Sequence, residues 1–191
     1  MNRSIKGRLL ITLLSRIALV AIALWETAYG QNPGYRLYGI NFGPYIGQAQ
    51  DPNINPQISA DQISAEMQVI NNHTTWVRSY GITNGLENIP PTARKLGLHV
   101  AAEAWLGFNP DGSQANQNAA EIDSLVAAVN ANQVDVAIVG SEVLFRALQD
   151  PSFQQIKTTL LNTIASVKQR TNNKVPVRLL RPSISSWIIQ T

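Results

Sequence analysis

No cysteine occurs anywhere in the 191 residues, which excludes both a disulfide framework and a thiolate metal site. Histidine is almost as scarce. His73 and His99 stand apart with no partner at ligand spacing, so metal catalysis is not expected. A chain without cross-links must hold itself together by its hydrophobic core, and this one is long enough to build one. Charge is also sparse, at 14% of residues, and its imbalance is confined to one end. In residues 1–30, Arg3, Lys6, Arg8 and Arg16 face only Glu26, a balance of +3, and the remaining 11 basic and 11 acidic residues cancel. The basic pI thus belongs to that segment. No Lys/Arg cluster with interleaved aromatics follows it, so nucleic acid is excluded as a partner.

Leu9 to Trp25 is mostly apolar, and Arg16 divides it into stretches shorter than the roughly 20 residues that span a bilayer. With its positive start, and with Ala28-Tyr29-Gly30 offering small residues where a signal peptidase cuts, residues 1–30 read as a secretory signal. The expected location is secreted, periplasmic or cell-wall; the alternative is a membrane anchor formed by the uncleaved N-terminal segment. Asn72-His73-Thr74 matches a glycosylation sequon, which matters only in a eukaryotic secretory pathway.

From Leu37 the chain alternates strand and helix four times. Strands are predicted over Leu37–Phe42, Thr75–Tyr80, His99–Trp105 and Val134–Val139. Helices are predicted over Ser59–Asn71, Leu86–Leu96, Gln117–Asn130 and Phe153–Arg170. Ser59 and Gln62 have capping-box spacing, and Gly97 stands where a C-cap glycine would stop the second helix. In the fourth helix Ile156, Leu160, Leu161, Ile164 and Val167 form one apolar face. Such repeats imply parallel pairing with right-handed crossovers, either in an open doubly wound sheet or in a (β/α)₈ barrel. A dinucleotide-binding sheet wants a glycine-rich phosphate turn after its first strand. Gly39-Ile40-Asn41-Phe42-Gly43-Pro44-Tyr45, with a proline and aromatics, does not suit that role, and the barrel is favoured. No cofactor is expected.

Glu142 follows the strand Val134–Val139 at once, after Gly140 and Ser141. Side chains just past the carboxyl ends of barrel strands line the active site, so a carboxylate there is a candidate acid or base. The plainer role is to cap the next helix or to pair with Arg146. The other strand exits carry Asn41, Phe42 and Tyr45; Arg78, Ser79 and Tyr80, then Thr83 and Asn84; and Glu103, Trp105 and Phe108. Rings with carboxylates, amides and one arginine suit a neutral polyhydroxyl ligand, because sugar C–H faces stack on rings while hydroxyls need paired donors and acceptors. Any single ring is equally at home in a barrel core.

Several of these segments together resemble the bacterial and fungal branch of glycoside hydrolase family 17. They are Tyr38-Gly39-Ile40-Asn41-Phe42-Gly43-Pro44-Tyr45, Trp76-Val77-Arg78-Ser79-Tyr80-Gly81, Thr83-Asn84-Gly85-Leu86-Glu87, Ala104-Trp105-Leu106-Gly107 and Ile138-Val139-Gly140-Ser141-Glu142-Val143-Leu144. The likeness runs in order from about Leu37 to Pro176. It implies a (β/α)₈ TIM barrel, here about four βα units of it, and a retaining enzyme acting on β-1,3-glucan. Glu142 is then the general acid/base, and Phe42, Tyr45, Arg78, Tyr80, Asn84, Trp105 and Ser141 contact the glucan. Many members have Asn in the place of Ser141, where it meets the sugar 2-hydroxyl.

The family's nucleophile is a second Glu in a Gly-Trp-Pro-containing motif after the seventh strand, and no such motif occurs here. Glu103 lies on the neighbouring strand and is expected to approach from the same side as Glu142, which is wrong for a nucleophile. After Val177 the family continues with Thr-Thr-Ala or similar. This chain reads Arg178-Leu179-Leu180-Arg181-Pro182-Ser183, so residues 178–191 are expected to be an aberrant, frameshifted tail after a barrel half at 31–177. The expectation is a β-glucan enzyme impaired in turnover. The alternative is a non-catalytic glucan-binding module, or a half-barrel that associates with itself through open strand edges.

Overall fold

Five parallel strands lie side by side in the order of the sequence. They are β1 (Leu37–Asn41), β2 (Thr74–Arg78), β3 (His99–Ala104), β4 (Val136–Val139) and β5 (Val177–Arg178). A doubly wound sheet reverses direction at a switch point, whereas a barrel wall adds each strand beside the last. The uninterrupted order is therefore that of a barrel arc. The computed structural model describes residues 36–109 and 111–179. The segment read as a signal, residues 1–30, and nearly all of the tail lie outside the described residues.

Helices α1 (Ala60–Ile70), α2 (Ile89–Lys95), α3 (Asn118–Asn130), α4 (Val143–Arg146) and α5 (Phe153–Arg170) complete the crossovers. The pairing register gives the sheet two unlike faces. Val77, Val100, Ala102, Ala104, Ala137, Val139 and Val177 share one face and pack in the main apolar core with Ile63, Met67, Leu125, Ile156, Leu160 and Val167 of the helices. The other face, which in a closed barrel turns toward the axis, carries Trp76, Arg78, His99, Ala101, Glu103 and Ile138. On it the Trp76 and His99 rings stack with centroids 4.8 Å apart.

Several details depart from the sequence reading. The strand count is five where about four βα units were expected, because Val177 and Arg178 pair with Ala137 and Ile138. The second helix is divided, a 3₁₀ turn over Leu86–Asn88 leading into α2, because Pro90 and Pro91 supply no amide hydrogen to the first turn. Only half of the capping box forms. Ser59 Oγ accepts from the Gln62 amide at 3.1 Å, but the Gln62 side chain turns away to the Pro44 carbonyl and to Gln50. Leu161, read as part of the buried face of the last helix, is 53% exposed, and Thr163 is buried in that turn instead. Helix α4 is not among the four helices predicted, although a helix capped by Glu142 was the plainer reading of that position. Gly97 does end α2, with a φ of 73° and its amide bonded to the Arg94 carbonyl.

Gly85 matters for the rim loops. Its φ is 95°, and a Cβ there would lie 1.9 Å from the Ile58 carbonyl oxygen, itself next to the bond that Ile58 N makes to Asn84 O. Gly85→Ala is expected to destabilise the fold by on the order of 3 kcal/mol, through a positive φ and a backbone clash that no rotamer relieves. Urea unfolding of the two proteins checks this.

Candidate functional site

The carboxyl ends of β2, β3 and β4 converge on one buried ion pair. Arg78 closes β2 and Glu103 sits one residue from the end of β3, on the same face of the sheet. The guanidinium donates to Glu103 Oε2 from Nε at 3.1 Å and from Nη2 at 2.5 Å, and Nη2 also donates to Ser141 Oγ at 2.7 Å. Glu103 Oε1 accepts from the Ser141 amide at 3.1 Å, and the Glu103 amide donates to Ser79 Oγ. Glu103 is wholly buried, and this pushes its carboxyl up to about 7 against the downward pull of Arg78 and the Ser141 amide. The Arg78–Glu103–Ser141 network thus fastens the backbone just before Glu142.

Glu142 itself stands exposed in that turn. Its φ of 56° is left-handed, as is that of Gly140 at 70°, where an added Cβ would approach Val143 Cγ2 to 2.8 Å. A non-glycine residue held in this region costs about 1 kcal/mol or more, and such outliers cluster where a side chain must be aimed. Neither plainer role is made by a direct side-chain bond. Glu142 occupies the N-cap position of α4 but its side chain makes no capping bond, and Arg146 turns elsewhere. Arg146 Nη2 donates to the Leu106 carbonyl at 2.8 Å and to the Ser141 carbonyl at 3.3 Å, with the guanidinium 4.8 Å from the Trp105 ring centre. Half-burial lowers the Arg146 pKa, against the attraction of Glu142 and Glu103.

The expected sugar contacts divide into two groups. Tyr80 and Trp105 are 40% and 36% exposed, and each carries an arginine over its ring, Arg78 at 4.7 Å from the Tyr80 centre. Asn84 is exposed with a φ of 55°, and Tyr45 is half-buried, its hydroxyl pKa raised by burial and then by Glu121. Phe42, Arg78 and Ser141 are buried. Phe42 packs in the main core, so it backs the rim instead of presenting a ring to it. Arg78 and Ser141 are turned toward one another and toward Glu103, beneath the surface that Glu142 and Trp105 form.

Sequence reading overlooked Glu121 in the first turn of α3. It is buried, and its carboxylate accepts from the Ile82 amide at 3.1 Å, the Trp105 amide at 2.9 Å and the Thr83 hydroxyl. Burial raises its pKa in spite of those donors. A signal was available, since Glu121 lies on the same helical stripe as Leu125, Ala128 and Val129, all buried. A carboxylate on an apolar stripe must find donors, and the rim loops supply them.

Solved structures similar to this chain include two of one enzyme. One is described as a glycoside hydrolase family 17 beta-1,3-glucanosyltransferase from Rhizomucor miehei, the other as an active-site mutant of the Rhizomucor miehei beta-1,3-glucanosyltransferase in complex with laminaritriose. Each aligns at 25% identity with a TM-score of 0.52, over 75% of this chain and 48% of its own. This chain therefore spans about half the length of those structures. Residues 39–184 match the family model of the BtgE/BtgC glycoside hydrolase domain. No curated protein matches the sequence.

The buried carboxyls make stability depend on pH with a definite sign. Glu103, facing Arg78 and Glu121, and Glu121, facing Glu87 and Tyr45, both hold a proton more tightly in the folded state than unfolded. For Glu103 the folded chain carries the extra proton between about pH 4.5 and 7, so its contribution is present below that window and is lost as pH rises through it, and Glu121 acts with the same sign. The slope is at most about 1.4 kcal/mol per pH unit for each group. Urea unfolding at about pH 5 to 8 should show the decline, and Glu103→Gln should flatten it.

Proposed function

This chain belongs to the BtgE/BtgC glycoside hydrolase family, and from that premise we propose that it acts on β-1,3-glucan with Glu142 as the general acid/base. The observation that carries the reading is the placement of Glu142: an exposed carboxylate just past the end of β4, on a left-handed backbone, over the Arg78–Glu103–Ser141 network. A retaining glycosidase needs an acid that protonates the leaving oxygen and a second carboxylate, about 5–5.5 Å away, that attacks the anomeric carbon from the opposite face. Glu142 meets the first requirement. Trp105 and Tyr80 offer partly open rings on which pyranose faces can stack.

The second requirement is not met by the neighbouring carboxylates among the described residues. Glu103 and Glu121 are buried and hydrogen-bonded, and Glu87 accepts from the Gly85 amide. Turnover by this polypeptide is accordingly impaired in our reading, while glucan binding is retained. Loss of the covalent step removes far more rate than loss of one sugar contact, since acid catalysis alone contributes roughly 10²–10⁴-fold. Whether a sugar or water accepts the glycosyl unit separates transferase from hydrolase. The laminaritriose complex of the Rhizomucor miehei glucanosyltransferase makes that trisaccharide the natural probe.

A second reading is favoured by the open edges of the sheet. Among the described residues β1 and β5 each have one strand neighbour, and an edge left open there can pair with another copy. Gel filtration showing only monomer removes it.

Retention on insoluble β-1,3-glucan is the direct measurement. The chain and Glu142→Gln should be retained equally, Trp105→Ala about tenfold less. Any oligosaccharide formed from laminaritriose should vanish with Glu142→Gln. A chain that is not retained overturns the glucan reading.

A further inference from the structure

We propose that Glu121 is the positioning residue of the aromatic wall: one carboxylate that clamps the β2–α2 and β3–α3 rim loops together and thereby fixes Trp105. The chemistry of the contacts carries this. Oε2 accepts two backbone amides from different loops, Ile82 at 3.1 Å and Trp105 at 2.9 Å, and Oε1 accepts the Thr83 hydroxyl. Neither amide is part of a strand ladder, because β2 ends at Arg78 and β3 at Ala104. The two loops therefore leave the sheet with backbone donors that need an acceptor, and a buried donor left unmet costs about 1–3 kcal/mol. A side chain from the first turn of α3 serves both.

The local sequence is shaped around the carboxylate. Gly81 precedes the clamped residues, and a Cβ there would lie 3.3 Å from Leu86 Cδ1 and 3.5 and 3.7 Å from the two carboxylate oxygens. A Cβ at 81 would be tight against Leu86 and in ordinary contact with the carboxylate, leaving little room for a longer side chain. The wall it holds is partly open: the Trp105 ring is exposed at 36% with Arg146 over it, while Leu106 beside it is buried and its carbonyl holds Arg146. Shifting the Trp105 amide would move the ring, the Leu106 carbonyl and the guanidinium together.

The arrangement makes the two conservative replacements behave differently. In Glu121→Gln the amide oxygen can occupy the Oε2 position and keep both backbone donors. Its NH₂ then faces Thr83, whose hydroxyl can turn to accept. Glu121→Asp keeps the charge but draws the carboxylate back by one methylene, out of reach of at least one loop. Geometry thus predicts that the neutral variant preserves the site and the charged one does not. A residue needed only for its charge would show the reverse.

Hydrogen exchange by mass spectrometry on the full chain tests the clamp without any glucan. Peptides covering residues 80–86 and 104–109 should exchange at least tenfold faster in Glu121→Asp, at near wild-type rates in Glu121→Gln, and without change in β4 or α5 in either. Equal protection in Glu121→Asp, or deprotection in Glu121→Gln, overturns the proposal. Its link to function rests on the glucan reading and is measured separately. Retention on insoluble β-1,3-glucan should fall about tenfold for Glu121→Asp, as for Trp105→Ala, and persist for Glu121→Gln. If the wild-type chain is not retained but the exchange pattern holds, the glucan reading fails and the clamp stands. If the wild type is retained and Glu121→Asp is retained equally, the clamp does not set the wall.

Discussion

Arg78 and Glu103 are joined where hydrophobic packing alone would leave the sheet undefined. The face of the sheet turned away from the helices carries, beside Ala101 and Ile138, a guanidinium, a carboxylate and a stacked Trp–His pair. Burying either charge alone would be prohibitive, so each is tolerable only with the other in place and with Ser141 and Ser79 completing the set. The consequence is positional more than energetic. Two guanidinium nitrogens converging on one carboxylate oxygen fix direction as well as distance, so the carboxyl ends of β2 and β3 are held against sliding, and the turn after β4 is tied to both.

From that fixed base the rim is built outward by hydrogen bonds from loop backbone to side chains. Ser141 is held below, Glu142 follows it on a left-handed backbone, and Arg146 returns over Trp105 to two carbonyl oxygens. Glu121 works in parallel from the helix side. Such a site, supported on strand ends, can present an exposed acid and two partly open rings without relying on the side chains' own packing. The chain belongs to the BtgE/BtgC glycoside hydrolase family, and the two glucanosyltransferase structures similar to it are about twice as long as the aligned part.

The architecture was legible in the sequence because strand and helix periodicities differ and alternate regularly. Val136–Val139 and Phe153–Arg170 needed no tertiary information to be found. The short fifth strand carries no pattern of its own in the two residues following Pro176; only the family resemblance pointed to a strand there, and it pairs along the edge of β4. Position after β4 pointed to Glu142, and the exits of β2 and β3 to Tyr80 and Trp105. What composition could not show is that Arg78 and Ser141, read as sugar contacts, turn toward Glu103. For Arg78 that is decided by the face of the sheet it occupies, which a shift of one residue in register reverses, and for Ser141 by the left-handed turn after β4. Glu121 escaped notice because it lies in a helix, far in sequence from the loops it joins.

The consecutive strand order bears on how the chain comes to be folded at all. Each strand pairs with the one that precedes it, so no strand must wait for a segment from much later in the sequence. Every crossover closes a loop of a few tens of residues, and loop-closure entropy grows only slowly over that range. A polypeptide emerging from its N-terminus can therefore add one βα layer at a time to an existing surface, in a vectorial assembly. The growing edge is always the newest strand, and it stays adhesive until the next one arrives.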